Sequence, residues 1–351
     1  MKIAIHYKKG TYSDSPDSFN KRWIVYCKEK NIPYKLVDAY KSDIIDQLSN
    51  CDAFLWHFYQ GSVRDFLSAK PILLSLDAAG MRTFPSVNMV WHFDDKVAQK
   101  YLLEAIRAPL VPSFIFYDKE QALQWSETAE LPLVFKLKGG GGSQNVKLLV
   151  TKKAVRNHIK KAFGKGFSQY SGWGIFKDRF RKYRQGKDSL VGVLKGCVRL
   201  LLPTPYARFR SRDKGYIYFQ KFIPGNDSDT RIIVIGNRAF GIIRKVREND
   251  FRASGGGTIS YDKENVDART VQMAFEVSKK LHLECVAFDF VFDQKNDPLI
   301  VEISYGFAIE AYDPCPGYWD DKLIWHKGYF NPQTWMIDDL LDKIRLDQNV
   351  L

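Results

Sequence analysis

The chain has 351 residues, of which 26% are charged and 45% hydrophobic. That composition excludes a disordered chain and predicts two or three globular domains. No apolar run approaches the roughly 18 residues that a membrane-spanning helix needs. The net charge of +13 is unevenly placed: residues 151–214 hold 18 Lys/Arg against 3 acids, and the remainder 35 against 37. One basic stretch on a nearly neutral protein is a candidate contact for something anionic.

In chain order, Lys2–Tyr7 reads as a first strand and lacks the long apolar stretch of a secretory leader, so a cytoplasmic location is expected. Strands at Tyr34–Asp38 and Ala53–His57 alternate with helices at Ser18–Lys30 and Ser42–Leu48, the rhythm of a small parallel sheet. The first strand–helix connection has no GxGxxG, so nothing there supports a dinucleotide site. Residues 94–107 form an amphipathic helix with an acidic first turn, ended by Pro109 and Pro112. A strand at Ser113–Tyr117, a helix near Lys119–Thr128 and a strand at Leu133–Lys138 follow, and Val146–Val150 resumes as strand. The basic insert proper runs from about Gly164 to Asp213 and interleaves Arg/Lys with Tyr170, Trp173, Phe176, Phe180 and Tyr183. Strands at Gly215–Phe222, Thr230–Ile235 and Arg238–Val246, a helix at Val266–Leu281, strands at Glu284–Phe292 and Leu299–Ile303, and a closing helix at Pro332–Arg345 complete the chain. The five cysteines are scattered, odd in number and without a CxxC, which favours buried reduced thiols. The six histidines show no zinc-binding spacing.

Four segments carry chemistry. Gly139–Asn145 places four glycines between two strands, either a phosphate-covering flap or a flexible turn. Before it, Lys136 and Lys138 stand two apart on a strand and so share a face, suited to phosphate oxygens or to solvent. Tyr218–Pro224 is an apolar strand end that offers backbone groups to an adenine edge or is plain core. Asp229-Thr230-Arg231 opens a hairpin, and Arg252 precedes a Gly-rich loop, either facing a phosphoryl group or carboxylate or lying in a solvated charge run. With a loop at Gln294–Asp297, Asp289 faces Glu302 across a hairpin. Two facing carboxylates repel unless a cation such as Mg²⁺, a shared proton or a lysine lies between them. Ser304 is on the same face.

With these motifs in this order, the chain resembles the ATP-grasp superfamily of carboxylate–amine ligases, closest to the branch containing glutathione synthetase and the ribosomal-protein glutamate ligases. The resemblance covers roughly residues 90–310. It implies an α/β fold: an N-terminal parallel domain over 1–90, a first lobe over 91–150, the basic insert over 151–214, a second lobe with the metal hairpin over 215–310, and a closing segment over 311–351. It implies ATP and Mg²⁺ as cofactors. By the resemblance, Lys136 looks like the strand lysine on the ATP phosphates, Gly140, Gly141, Gly142 and Ser143 belong to the glycine-rich flap, Lys96 looks like the lysine of the Asp-Lys helix before the ATP lobe, and Lys221, Phe222 and Ile223 look like the adenine hinge; Lys138, from its place on the strand, is a further expected cofactor-binding residue. Asp229 matches the acid of an Asp-x-Arg motif, and Arg252 with Lys136 the catalytic cations. Asp289, Glu302 and Ser304 match metal ligands, Ser304 standing where the family has Asn. The expected reaction joins a carboxylate to an amine through an acylphosphate, with a small substrate pair or a larger anionic saccharide, peptide or carrier as acceptor. The alternative is a non-catalytic ATP-binding protein that uses its insert on nucleic acid or an anionic membrane surface. Arg179, Arg181, Lys182 and Arg184 are the insert residues expected to dock an anionic acceptor or a membrane surface.

Overall fold

The computed structural model describes residues 1–140, 145–169, 211–246, 250–252 and 258–350, with isolated positions between 176 and 209. Gly141, Gly142 and Ser143 of the flap, and Arg179, Arg181, Lys182 and Arg184 of the insert, lie outside the described residues. Two compact units are present. The larger comprises Met1–Phe93, Tyr101–Leu110 and Gly225–Leu351, the smaller Asp94–Lys100 and Val111–Pro224.

The larger unit opens with β1 (Ile3–His6), α1 (Phe19–Glu29), β2 (Tyr34–Val37), α2 (Ile44–Leu48), β3 (Ala53–Leu55), α3 (Val63–Ala78), β4 (Arg82–Phe84) and α4 (Val87–Val90). Its parallel sheet has the order β2-β1-β3-β4. Strands β1 and β3 are buried throughout, as a sheet covered on both faces requires. α1 starts where Ser18 accepts a hydrogen bond from the Asn20 N–H, and α3 where Ser62 accepts one from the Asp65 N–H.

α5 (Lys96–Ala105) follows. The smaller unit continues with β5 (Ser113–Phe116), α6 (Lys119–Thr128), β6 (Leu133–Lys136), β7 (Lys147–Leu149), α7 (Lys152–Ala162) and β8 (Ile217–Lys221). Its antiparallel sheet has the order β5-β8-β6-β7. The basic stretch that begins at residue 151 is not all insert. α7 seats Val155, Ile159 and Ala162 in the same core as Phe135 and Phe219, so its lysines occupy the outer face of a helix that belongs to this lobe.

The second sheet of the larger unit is built from β9 (Ser228–Ile235), β10 (Arg238–Lys245), β11 (Ile259–Ser260), β12 (Cys285–Phe292), β13 (Pro298–Ser304), β14 (Gly317–Asp320) and β15 (Trp325–Lys327). Its order is β13-β12-β9-β10-β14-β15, with β11 also on β10. α8 (Ala268–Lys280) packs on β9 and β12, and α9 (Pro332–Val350) on α1. One hydrophobic core runs from Ile3 and Phe54 to Val234, Phe288 and Ile344, so the expected N-terminal, second-lobe and closing segments fold as one body. Tyr26 donates to Asp338 (2.7 Å) and Arg22 to Asp313 (2.6 Å), fastening the closing helix and its approach to α1.

Candidate active site

In the smaller unit, Lys136 ends β6 with only 7% of its surface exposed, and its Nζ donates to Gln220 Oε1 at 2.6 Å. Gln220 is held in turn, donating through Nε2 to Ser113 Oγ (3.1 Å). Gln220 is a neutral amide, so this hydrogen bond satisfies a donor of the buried ammonium without cancelling its charge. Lys138 behaves differently from the expectation of a shared face. The strand stops at Lys136, Lys138 is exposed, and its Nζ pairs with Asp95 at 2.9 Å. The physical reason is the entry of α5: the Lys96 N–H takes the Lys138 carbonyl (2.9 Å), pulling the chain out of the ladder.

Lys96 is also buried, 6% exposed, and its Nζ donates to the Gly140 carbonyl at 2.9 Å. The Gly140 N–H donates to Asp94 Oδ1 at 2.8 Å. Gly140 adopts φ +112°, a conformation L side chains rarely adopt. The start of α5 therefore grips the first half of the glycine segment. At the expected hinge, the Lys221 N–H donates to the Pro112 carbonyl (2.8 Å) and the Phe222 N–H to the Pro132 carbonyl (3.3 Å). The expectation of free N–H groups fails at these two residues, because β8 and the strand-end carbonyls of its neighbours already use them. Lys221 Nζ pairs with Glu130 at the surface (2.7 Å).

The larger unit carries a row of charges on one sheet face. Asp229 on β9 is opposite Arg244 on β10, Arg231 on β9 is opposite Asp289 on β12, and Asp289 is opposite Glu302 on β13. The Asp289–Glu302 pairing expected from the sequence is present, reached by another route. The turn is one residue longer than the predicted loop, with Phe292 opposite Pro298, and a bulge between Glu302 and Ile300 restores the register. The cation beside Asp289 is supplied by the chain. Arg244 lies 3.0 Å and Arg231 3.2 Å from Asp289 Oδ1, and Arg244 grips Asp229 through two bonds of 2.7 and 2.6 Å. Burial alone would lower the Arg244 guanidinium, but Asp289 and Asp229 outweigh it and raise its pKa. Burial pushes the Asp229 carboxyl up, and the Asp289 charge adds to that, against the pull of Arg244 and Arg231.

Neither arginine was picked out from the sequence as a site residue. Counting back from the two-residue turn at Gly236-Asn237 pairs Asp229 with Arg244, so that signal was present. Arg231 meeting Asp289 needs the non-sequential β9–β12 pairing and was not legible. Ser304 Oγ exchanges hydrogen bonds with Gly306, donating to its carbonyl (3.1 Å) and accepting from its N–H (3.2 Å). Arg252 is fastened to Asp250 by Nε and Nη2 bonds of 2.9 and 2.5 Å. Among the described residues, no group of three His, Cys, Asp or Glu is placed to hold a metal ion. The carboxylates of Asp289 and Glu302 on neighbouring strands are hard oxygen donors. They fit Mg²⁺, which takes one or two protein carboxylates and completes its shell with water and phosphate. No described helix is long and apolar enough to cross a membrane.

Residues 209–313 match the RimK-like ATP-grasp domain family. Solved structures of similar fold include a RimK domain ATP-grasp protein from Sphaerobacter thermophilus, 12% identical, with a TM-score of 0.57 over 97% of this chain and 100% of that one. D-alanine–D-alanine ligase from Bacillus anthracis complexed with ATP is 11% identical, with a TM-score of 0.57 over 99% of each chain. The macrocyclase MdnC bound with precursor peptide MdnA from Microcystis aeruginosa is 12% identical, with a TM-score of 0.56 over 97% and 100%. No curated protein matches the chain by sequence. A parallel N-terminal sheet and two antiparallel sheets make this an ATP-grasp fold, in which residues 209–313 match the RimK-like ATP-grasp domain family.

Proposed function

We propose that the chain is an ATP-dependent carboxylate–amine ligase. The observation that carries this reading is the half-buried row Asp229, Arg231, Arg244, Asp289 and Glu302, which lies within the matched RimK-like segment. In the proposed reaction a substrate carboxylate oxygen attacks the γ-phosphorus of ATP and ADP leaves. An amine then attacks the acylphosphate carbon, its proton is lost, and phosphate departs. No side-chain nucleophile is needed; the work is positioning and charge neutralisation. Lys96, Lys136 and the glycine segment from Gly140 are assigned to the ATP phosphates, and Arg252 to the transferring phosphoryl group. Asp229 orients Arg244. Phe222 and Ile223 are assigned to the adenine side through groups other than the two engaged N–H groups. Asp289 and Glu302 would hold Mg²⁺, with Ser304 a weaker neighbour. The metal, when bound, supplies positive charge to phosphate oxygens. The acceptor is proposed to be anionic, matched by the basic stretch.

The test is ADP release from a panel of carboxylates and amines with Mg²⁺. Release is expected only when both are present, and is lost in Asp289→Asn and Glu302→Gln. Lys136→Met removes a charge-assisted hydrogen bond of about 1.5–3 kcal/mol, so ATP should bind about ten- to a hundredfold more weakly by calorimetry. ATP binding without carboxylate- and amine-dependent turnover would favour the binding-protein reading.

A further inference from the structure

His57 follows β3 at the carboxyl end of the parallel sheet. There, neighbouring strands β1 and β3 send their connections in opposite directions, the crevice where open α/β sheets take ligands. The ring is fixed. It is stacked on Phe19 at 3.7 Å between centroids, Tyr12 meets it edge-on at 5.2 Å, and only 4% of the residue is exposed. Its tautomer is also fixed. The Phe19 N–H donates to Nδ1 at 3.0 Å, which requires the proton on Nε2. Burial lowers its pKa to about 3, so the ring is neutral and Nε2–H is a donor at any working pH. Among the described residues, Nε2–H has no hydrogen-bond partner.

That donor faces Gly306. A Cβ built on Gly306 would lie 3.8 Å from His57 Nε2 and 3.7 Å from the Phe93 ring. On the same residue, the Gly306 carbonyl is 3.4 Å from Arg231 Nη2. Arg231 is anchored there by Asp289, whose Oδ1 and Oδ2 lie 3.2 and 3.4 Å from its Nη1. Gly306 thus lies beside the His57 Nε2–H while Arg231 holds its carbonyl.

We propose that His57 Nε2–H and the side-chain-free Gly306, whose carbonyl Arg231 holds, form the seat of the carboxylate substrate, His57 donating to one of its oxygens. This rests on the ligase reading. The neighbouring row, three acids (Asp229, Asp289 and Glu302) against two arginines, opposes a singly charged carboxylate less than a phosphate dianion. A dianion would be repelled there. The stacked Tyr12–Tyr59 pair, 4.9 Å apart, offers a flat wall for the body of the acid.

Two substitutions separate the roles of the ring. His57→Asn keeps an acceptor for the Phe19 N–H and loses the Nε2 donor; His57→Gln keeps a donor at the Nε2 position and loses that acceptor. The full-length protein without ATP is titrated with acetate, glucuronate, glutamate and inorganic phosphate while the His57 Nε2–H resonance is followed by NMR. At least one carboxylate should shift it and phosphate should not. For that carboxylate, Asn should weaken binding about tenfold, and Gln should bind within about twofold of wild type, measured by calorimetry. Gly306→Ala, whose methyl makes only ordinary contacts, should abolish the response while the protein stays folded. No shift with any of the three acids, an equal response to phosphate, or an unchanged response in Gly306→Ala overturns the proposal. Because the titration omits ATP, a chain that seats the acid yet never releases ADP loses the ligase reading alone.

Discussion

Arg244 shows how one residue sets the character of the charged row. Its guanidinium neutralises Asp229 bidentately and touches Asp289, both largely buried. Removing one partner of a buried charge cluster leaves the others uncompensated, which costs more than the pair contributes net. Arg244→Met is therefore expected to lose about 3–5 kcal/mol of stability in urea unfolding. Adding Asp229→Asn should recover part of that loss, because the second change removes the stranded charge. Equal stability of the single and double variants would mean that Asp229 is already neutral. The same residue marks what the sequence offered. The Gly236-Asn237 turn fixes the Asp229–Arg244 register locally, whereas the second bond, to Asp289, comes from a strand about 45 residues further on. Facing acids at 289 and 302 suggested an added cation, a shared proton or a lysine. The arginines that stand there were visible as residues but not as neighbours.

At the scale of elements, α7 divides structure from surface within the basic stretch. Its spacing puts Val155, Ile159 and Ala162 on one stripe and five Lys/Arg elsewhere, so charge counting alone hides the helix. Ile159 is fully buried among Phe135, Phe167 and Phe219. Ile159→Ala should destabilise the smaller unit by about 2–5 kcal/mol, against less than about 0.5 kcal/mol for Lys160→Ala on the exposed face. Hydrogen exchange of β6 and β8 amides reads this directly; unchanged protection in Ile159→Ala would place α7 outside the lobe. The β12–β13 hairpin teaches a related point. The sequence located both strands and their facing acids, yet the turn and the bulge offset each other by one residue, which pattern reading does not resolve.

For the whole molecule, buried histidines link stability to pH. Burial lowers His6 to about 4 and His57 to about 3, against an ordinary 6.5. Below pH 6.5 the unfolded chain takes up protons that the folded chain refuses, so this stability is full above pH 6.5 and falls as pH drops towards 4 and 3. Between pH 6.5 and 5 each histidine contributes a loss of about 2 kcal/mol. Asp65 and Asp339, raised by burial, work in the opposite sense at the acid end. Comparing wild type with His57→Asn isolates the effect: the drop in urea stability from pH 6.5 to 5 should shrink by about 2 kcal/mol. An unchanged drop would mean that His57 is protonated in the fold. By itself the sequence determined the elements whose signals are local: the alternating strands and helices of residues 1–60, β6 beside its glycines, the Gly236-Asn237 hairpin turn, and the order of motifs that resembles ATP-grasp proteins. Period, caps and turn residues act over a few positions, and the chain cannot avoid displaying them. Only the tertiary structure decided that residues 1–93 and 225–351 share one core, that Lys136 is buried on Gln220 while Lys138 is not, and that His57 and Arg231 approach the same glycine. Those contacts join residues tens to hundreds of positions apart, and their energies come from packing and desolvation, which exist only once the sheets have met.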